Sequence, residues 1–326
     1  MKDLSVIIPA RNEQFLEKTI DTILENSVAD TEVIVILDSY WPSPSIEDRP
    51  KVTFIHHTNP VGQRVATNEG VRLSSAKYIM KLDAHCSVDK GFDVKLMADC
   101  EKDWTVIPRM YNLHAFDWEC TGCGSKMYQA DLKPPCSKCN GTNFKESLVW
   151  EPRIRRRTDF ARFDNTLHFQ YWKDYEKRPE SKPDIADVMS SIGACFFMHR
   201  ERFLELEGLD ENHGSWGQVG TEVACKSWLS GGRQVVNKKT WFSHFFRVGT
   251  LKFPYQISGN DQERARIYSR DFWNNNRWQK QVHPLPWLIE KFAPVPTFHD
   301  KGVIYGIPEG FHESQERKED HPQVME

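Results

Sequence analysis

An α/β fold built on a mostly parallel sheet is what this sequence predicts, and three observations predict it. Short apolar runs alternate with stretches of helical spacing over residues 4–82, the order that gives parallel strands joined by right-handed crossovers. Two of those runs lead into an acid, at Asp38 and Asp83, and open α/β sheets bind ligands beyond the carboxyl ends of their strands. No apolar run approaches membrane-spanning length.

The elements follow in order. Leu4-Ser-Val-Ile-Ile-Pro-Ala reads as a buried strand stopped by Pro9, and residues 15–24 carry helical apolar spacing with Asn12 as the expected cap. Residues 32–38 form a second strand, Pro42 and Pro44 mark a loop, and residues 51–56 form a third strand. A helix over 62–75 leads to a fourth strand over 77–82. From 112 to 150 periodicity fades around paired cysteines. The basic run Arg153-Ile-Arg-Arg-Arg157 follows, then a polar, aromatic, turn-rich stretch over 158–184. A strand over 188–199, helices over 200–206 and 222–229, and strand ends at 234–237 and 240–244 complete the pattern, with Gly231-Gly232 stopping the second helix. Residues 250–300 are rich in Trp, Pro and Asn, and the charged tail from His312 is expected to be disordered. There are no internal repeats.

At 326 residues the chain can hold one large domain or two modest ones. Its net charge of −3 excludes a bulk nucleic-acid binder, so any such role must rest on a local patch. Residues 4–10 are too short and too interrupted for a signal-peptide core, and the expected location is cytoplasmic, with no membrane partner. Of eight cysteines, four are paired, and without an export signal pairs favour metal over disulfides. Cys86, Cys100, Cys195 and Cys225 are expected as buried thiols.

The chemistry centres on Tyr78-Ile-Met-Lys-Leu-Asp-Ala-His-Cys86. Extended backbone puts residues i and i+2 on one face, so Asp83 and His85 can address one ion beyond the strand. A carboxylate and an imidazole suit Mn²⁺ or Mg²⁺, which in turn could hold a diphosphate. Taken alone, a strand-ending Asp and a surface His is an equal reading.

Cys120-x-x-Cys123 and Cys136-x-x-Cys139, twelve residues apart, have the spacing of two zinc-ribbon knuckles. Four thiolates make a closed, structural Zn²⁺ site, and Gly122, Gly124 and Gly141 permit the turns. Pro135-Cys-Ser-Lys-Cys139 also matches half of a nucleobase deaminase signature, but neither His85 nor His114 is followed by the required Glu, which excludes it. The ribbon is either a staple for a long loop or part of an acceptor grip. Arg153, Arg155, Arg156 and Arg157, interleaved downstream with Phe160, Phe163, Phe169, Tyr171 and Trp172, suit phosphates and bases. The alternative for the arginines is a solvated face paired with Asp159, Asp164, Asp174 and Glu176.

Taken together, six motifs in order resemble family-2 glycosyltransferases of the GT-A fold, and among them the polypeptide N-acetylgalactosaminyltransferases. They are Ser5-Val-Ile-Ile-Pro-Ala-Arg-Asn-Glu13, Asp83-Ala-His-Cys86, Ile192-Gly-Ala-Cys-Phe-Phe-Met198, Trp216-Gly217 with Glu222 and Trp228, Ser243-His-Phe-Phe-Arg247, and Phe253-Pro-Tyr255 with residues 266–273. The likeness covers residues 3–110 and 185–278.

The resemblance implies a GT-A fold, a Rossmann-like mostly parallel sheet with flanking helices, interrupted here by the zinc ribbon. It divides the chain into a nucleotide-sugar half (1–111), the ribbon (112–150), an acceptor-side half (151–250), a lid and extension (251–311) and a tail (312–326). It implies Asp83, His85 and His244 as Mn²⁺ ligands, and Pro9, Arg11, Glu13, Asp38, Gly62, Arg64, Asp83 and Tyr255 around a nucleotide-sugar donor, a UDP-sugar first. Glu222, Trp216 and Arg247 are implied in catalysis. Two departures stand out. The acidic pair expected after Trp216, the general base of inverting relatives, is Val219-Gly220, which favours retention. Leu37 replaces the first acid of a pair ending in Asp38. The expected activity is sugar transfer to a hydroxyl, with a hydroxylated base in viral DNA as one acceptor and protein or saccharide as alternatives. A non-catalytic zinc-ribbon nucleic-acid-binding protein is the reading from a different class.

Overall fold

The computed structural model describes residues 2–248, 251–256 and 259–298; the expected tail, and the extension beyond 298, lie outside them. The strands are β1 (Leu4–Ala10), β2 (Thr31–Asp38), β3 (Val52–His57), β4 (Tyr78–Leu82), β5 (Cys86–Val88), β6 (Trp104–Cys120), β7 (Lys126–Tyr128), β8 (Phe144–Thr158), β9 (Ala161–Phe163), β10 (Phe169–Tyr171), β11 (Ile185–Asp187), β12 (Cys195–His199) and β13 (Arg233–His244). The helices are α1 (Leu16–Asn26), α2 (Gly62–Leu73), α3 (Phe92–Ala98), α4 (Arg200–Glu205), α5 (Val219–Leu229), α6 (Gly259–Asn274) and α7 (Leu285–Lys291).

Among the described residues eleven strands share one sheet in the order β11-β13-β6-β12-β4-β1-β2-β3, with β5 on β13 and β7 and β8 on β6. The β1, β2, β3 and β4 pairings are parallel, and so is β13 with β6. β12 runs antiparallel between β4 and β6. The alternating runs of the amino-terminal half therefore form the parallel region that their pattern requires. Both faces are covered, as near-continuous apolar strands demand. Ile7, Ile34 and Ile79 pack with residues of α2 and α5, and Val6, Ile8 and Val33 pack with residues of α1 and α3.

Several expectations change. Asn12 does not cap α1: it has φ 50°, and the Glu13 carboxylate instead accepts from the Phe15 N–H at 3.2 Å. Only Cys195–His199 of the strand expected over 188–199 is strand, because Gly193 turns the chain with φ 84°. The two strand ends at 234–244 are one strand, β13, with an irregularity between Asn237 and Trp241.

The largest change concerns residues 112–150. Strand structure continues where periodicity fades in the sequence, and it carries the cysteines. β6 continues for 17 residues and β8 returns for 15, so the central sheet itself extends into an arm with the cysteines at its tip. Polar alternation hid these strands, since much of β8 is solvent-facing on both sides. Phe15, Leu113, Ala115, Phe116 and Phe245 form a third core cluster at the arm's base, with Trp150 against it. The Trp150 indole N–H donates to Thr22 Oγ1 at 2.9 Å, which ties the arm to α1.

Candidate active site

Asp83 follows β4, His85 stands in the turn between β4 and β5 and not on the extended backbone expected, and β13 ends at His244, all at the same end of the sheet. The pairing of Cys86 with His244 across β5 and β13 sets their level, and the Phe245 N–H donates to His85 O at 3.1 Å. One ligand atom from each of Asp83, His85 and His244 lies within 4.8 Å of the other two. The His85 and His244 Nε2 atoms are 3.0 Å apart, and His244 Nε2 is 3.3 Å from Asp83 Oδ2.

The surroundings orient this set. Glu13 Oε2 lies 2.8 Å from His85 Nδ1 and accepts from Arg247 at 2.6 Å. An Nδ1–H held by a carboxylate leaves the Nε2 lone pair facing inward, the usual support for a ligating histidine. Burial alone would raise the Glu13 pKa, but His85 and Arg247 outweigh it and hold it below the usual range. Lys81 is buried in β4, and its ammonium bonds Asp83 Oδ1 and Gly193 O. That takes one carboxylate oxygen and leaves the other toward the histidines. Burial opposes ionisation of Asp83, yet Lys81 and His244 hold its pKa far below normal. Burial lowers His244 to about 4, so its imidazole is neutral near neutrality. Two imidazole nitrogens and a carboxylate converging on one point fit a divalent cation of the Mn²⁺ type.

The segment 251–256 lies beside this site. Asn12 Nδ2 donates to Pro254 O at 3.3 Å, the Arg11 guanidinium sits 5.5 Å from the Tyr255 ring centre, and Phe253 meets Trp216 edge-on at 6.1 Å. Burial raises the Tyr255 phenol to about 12. Pro9, at the end of β1, is half-buried.

Other expected ligand contacts turn out to be braces. Glu222 is 0 % exposed and bonds Arg64 at 2.9 Å, with Lys226 at 3.4 Å on its other oxygen. Arg64, 1 % exposed, also donates from its two terminal nitrogens to Gly214 O and Gly217 O. Neither presents an atom to a ligand. A charge pair this deep must satisfy itself, and here it pins the loop carrying Trp216. Gly62 has φ 82°, and a Cβ there would fall 2.7 Å from Ser215. Asp38 accepts from the Val61 and Gly62 N–H groups, capping the start of α2, and is buried.

The absent acidic pair has a steric cause. At the second position of that pair a Cβ on Gly220 would lie 1.8 Å from Ser191 O, so no side chain fits there, and the first position is the buried Val219. Asp210 offers no replacement: its carboxylate accepts from Asn212 and Tyr268 and pairs with His213.

At the arm's tip, Cys120, Cys123, Cys136 and Cys139 bring their sulfurs within 4.8 Å of one another. The separations of 3.5 Å for Cys120–Cys139 and 3.7 Å for Cys123–Cys136 are close to the roughly 3.8 Å edge of a tetrahedron with Zn–S near 2.3 Å. Each knuckle closes alike. The Gly124 N–H donates to Cys120 O and the Asn140 N–H to Cys136 O, both at 2.8 Å, and both residues take positive φ. A hydrogen bond from Ser125 draws Cys136 down to about 6. All eight cysteines are free thiols; Cys86, Cys195 and Cys225 are buried as expected, and Cys100 is half-exposed.

The basic run divides. Arg153 lies over the Tyr128 ring at 4.4 Å, and Arg157 pairs with Asp159 and Glu176 at 3.6 and 3.5 Å. Arg155 and Arg156 are exposed. Sequence reasoning missed Lys81, although a lysine inside the apolar run Tyr-Ile-Met-Lys-Leu was the available signal.

Comparison with known proteins fits this geometry. Residues 5–122 match the sequence model of Glycosyl transferase family 2. Over those residues the chain is similar to that family. Its relatives are polypeptide N-acetylgalactosaminyltransferases. Polypeptide N-acetylgalactosaminyltransferase 8 of Drosophila melanogaster is 24% identical over 306 residues, covering 88% of this chain and 46% of that protein. Probable N-acetylgalactosaminyltransferase 7 of Caenorhabditis elegans is 24% identical over 259 residues, covering 75% and 39%. The crystal structure of GalNAc-T7 with UDP, GalNAc and Mn²⁺ superposes with a TM-score of 0.59 at 16% identity, over 84% of this chain and 48% of that one. The fold is therefore GT-A-like, with the cysteine cluster added to it. The chain spans less than half the length of the curated relatives it matches. Among the described residues no helix is long and apolar enough to cross a membrane.

Proposed function

We propose that this chain is a Mn²⁺-dependent glycosyltransferase that moves a sugar from a UDP-sugar to an acceptor hydroxyl with retention, and that the acceptor is a hydroxylated base in DNA. The observation that carries the first part is the convergence of Asp83, His85 and His244 with Glu13 and Arg247 behind them. A divalent cation held by those three side chains would supply charge neutralisation to a departing diphosphate. The family match, and a structural neighbour solved with UDP and Mn²⁺, support the donor.

The residues divide the work. Glu13 keeps His85 in the tautomer with Nε2 inward, and Lys81 aims Asp83. Arg247 sets a fixed cation beside the leaving group's side of the site, where preorganised charge lowers the barrier most. Tyr255, neutral at any working pH, can donate a hydrogen bond, and Trp216 with Phe253 offers apolar ring surface to the sugar. With Val219-Gly220 supplying no carboxylate, the acceptor's proton passes to the departing phosphate, on the face the sugar already used. That keeps the anomeric configuration. Cys120, Cys123, Cys136 and Cys139 hold a structural Zn²⁺ in this reading, and residues 112–150 make up the ribbon arm between donor and acceptor halves. Four cysteines as metal ligands and four as thiols fit a reducing compartment such as the cytoplasm.

The relatives are named for polypeptide acceptors, and a polypeptide is the competing outcome. The test is Mn²⁺-dependent hydrolysis of a panel of UDP-sugars, with NMR of the transferred or released sugar. Turnover with retained configuration is expected. No turnover with any sugar, or an inverted product, would overturn the reading.

A further inference from the structure

We infer that Ile154, Arg155 and Arg156 form a wedge that grips duplex DNA and fills the place of an extruded nucleotide. This deepens the DNA-acceptor reading and rests on it.

The inference starts from strand register. On β8, Arg153 pairs with Asn112 and Arg157 pairs with Tyr111, although Asn112 and Tyr111 are neighbours on β6. Three residues of β8 therefore have no counterpart, where an ordinary bulge leaves one. The residues so extruded are Ile154, 70 % exposed, and Arg155 and Arg156. Among the described residues neither arginine side chain has a hydrogen bond or ion pair, while those of Arg153 and Arg157 on either side are both engaged. An isolated surface arginine is ordinary. Two adjacent unpaired ones, beside an aliphatic side chain held out in water by the backbone, are a different arrangement.

Its location gives it a use. Asn112 pairs with Arg153 on one side and with His244 on the other. The bulge thus stands two strand spacings, about 10 Å, from a residue of the metal triad. The base of the arm, tied down through Trp150 and Phe15, holds it there. The cysteines lie eight residues further along β6, about 25 Å away, so the bulge, and not the ribbon tip, adjoins the site.

The chemistry selects nucleic acid. Guanidinium groups match phosphate in planar, paired hydrogen bonds. Exposed aliphatic side chains flanked by cations are what proteins push between base steps to unstack them. An enzyme acting on a base in a duplex must first take that base out of the stack, and Ile154 is shaped to occupy the gap. A net charge of −3 gives no general attraction, so the patch must act locally.

The experiment uses the full chain with its metals. Binding to a duplex oligonucleotide is measured by fluorescence anisotropy at several salt concentrations, with a single strand and poly-glutamate as comparison ligands. Arg155→Ala/Arg156→Ala should weaken duplex binding by about tenfold or more and reduce the slope of log K against log salt by about 1.8, the share of two phosphates. Ile154→Ala should keep single-strand binding but lose the fluorescence rise of a 2-aminopurine placed in the duplex. Unchanged affinity and slope in the double variant would overturn the wedge, as would poly-glutamate binding at least as tightly as duplex, which would mean an acidic polypeptide partner. UDP-sugar hydrolysis by the unaltered chain, assayed without DNA, is read separately. Its absence would sink the transferase reading, whereas failure of the DNA arms alone sinks only the wedge.

Discussion

Cys120 meets Cys139 across 19 residues of chain, and Cys123 meets Cys136 across 13. His244 meets His85 from 159 residues away and Asp83 from 161. Both groups bring convergent ligands within the same 4.8 Å, but different forces assemble them. The cysteines are placed by two turns, each closed by its own backbone hydrogen bonds. The triad is placed by the sheet, through the β5–β13 pairing and the buried braces Glu13 and Lys81. A locally built site can be lost without the sheet, and a sheet-built site can survive without the arm's tip.

Asp83→Ala should have the largest effect. Removing the only carboxylate of the triad is expected to cut Mn²⁺-dependent UDP-sugar hydrolysis by roughly a thousandfold, in line with several kcal/mol of metal stabilisation, while the zinc content stays at one per chain. Cys123→Ser should do the converse. Zinc is lost and protease cleaves between residues 121 and 143, with donor hydrolysis within a few-fold of the parent. Metal analysis with limited proteolysis reads both. Loss of donor hydrolysis in Cys123→Ser, to the extent seen in Asp83→Ala, would break the separation between the two sites.

Glu13→Gln should fall between these. It keeps shape but removes the charge that orients His85 and Arg247, and a 10- to 100-fold weaker Mn²⁺ affinity is the expected cost of losing such a supporting group. A Mn²⁺ titration of activity decides it; an unchanged midpoint would show that His85 needs no support.

The smallest effect is on acid stability. The His244 pKa is lowered from 6.5 to about 4 by burial. The unfolded chain therefore binds a proton that the metal-free folded chain refuses between those values. Stability present above pH 6.5 should decline as pH falls toward 4, by up to about 3 kcal/mol from this group. Asp83 and Glu13, whose pKa values are depressed by their cations, add their loss only at lower pH. Urea unfolding of metal-free protein at pH 7 and pH 4.5 should show a smaller difference for His244→Gln than for the parent. Equal differences would mean the imidazole is not buried as neutral.

What the chain alone determined is local. Apolar runs of strand length, separated by helical spacing, specify a parallel α/β sheet because periodicity is a property of neighbours along the chain. Asp83-Ala-His85 specifies an acid and an imidazole two residues apart, and the cysteine spacing specifies knuckles, for the same reason. Tertiary structure decided which polar residues face a ligand and which hold the framework. Arg64, Glu222, Gly62 and Asp38 read as ligand contacts, yet burial makes them a buried ion pair, a close approach and a helix cap. Residue type reports what a group can bind, whereas burial and distance decide what it does bind. Long-range register likewise turned a faint stretch into an arm of the central sheet and left Ile154, Arg155 and Arg156 of β8 without partners on β6. Packing of α5 against Ser191 left Gly220 no space for a side chain. Each of these outcomes depends on the distance between segments far apart in sequence, a quantity that no spacing along the chain contains.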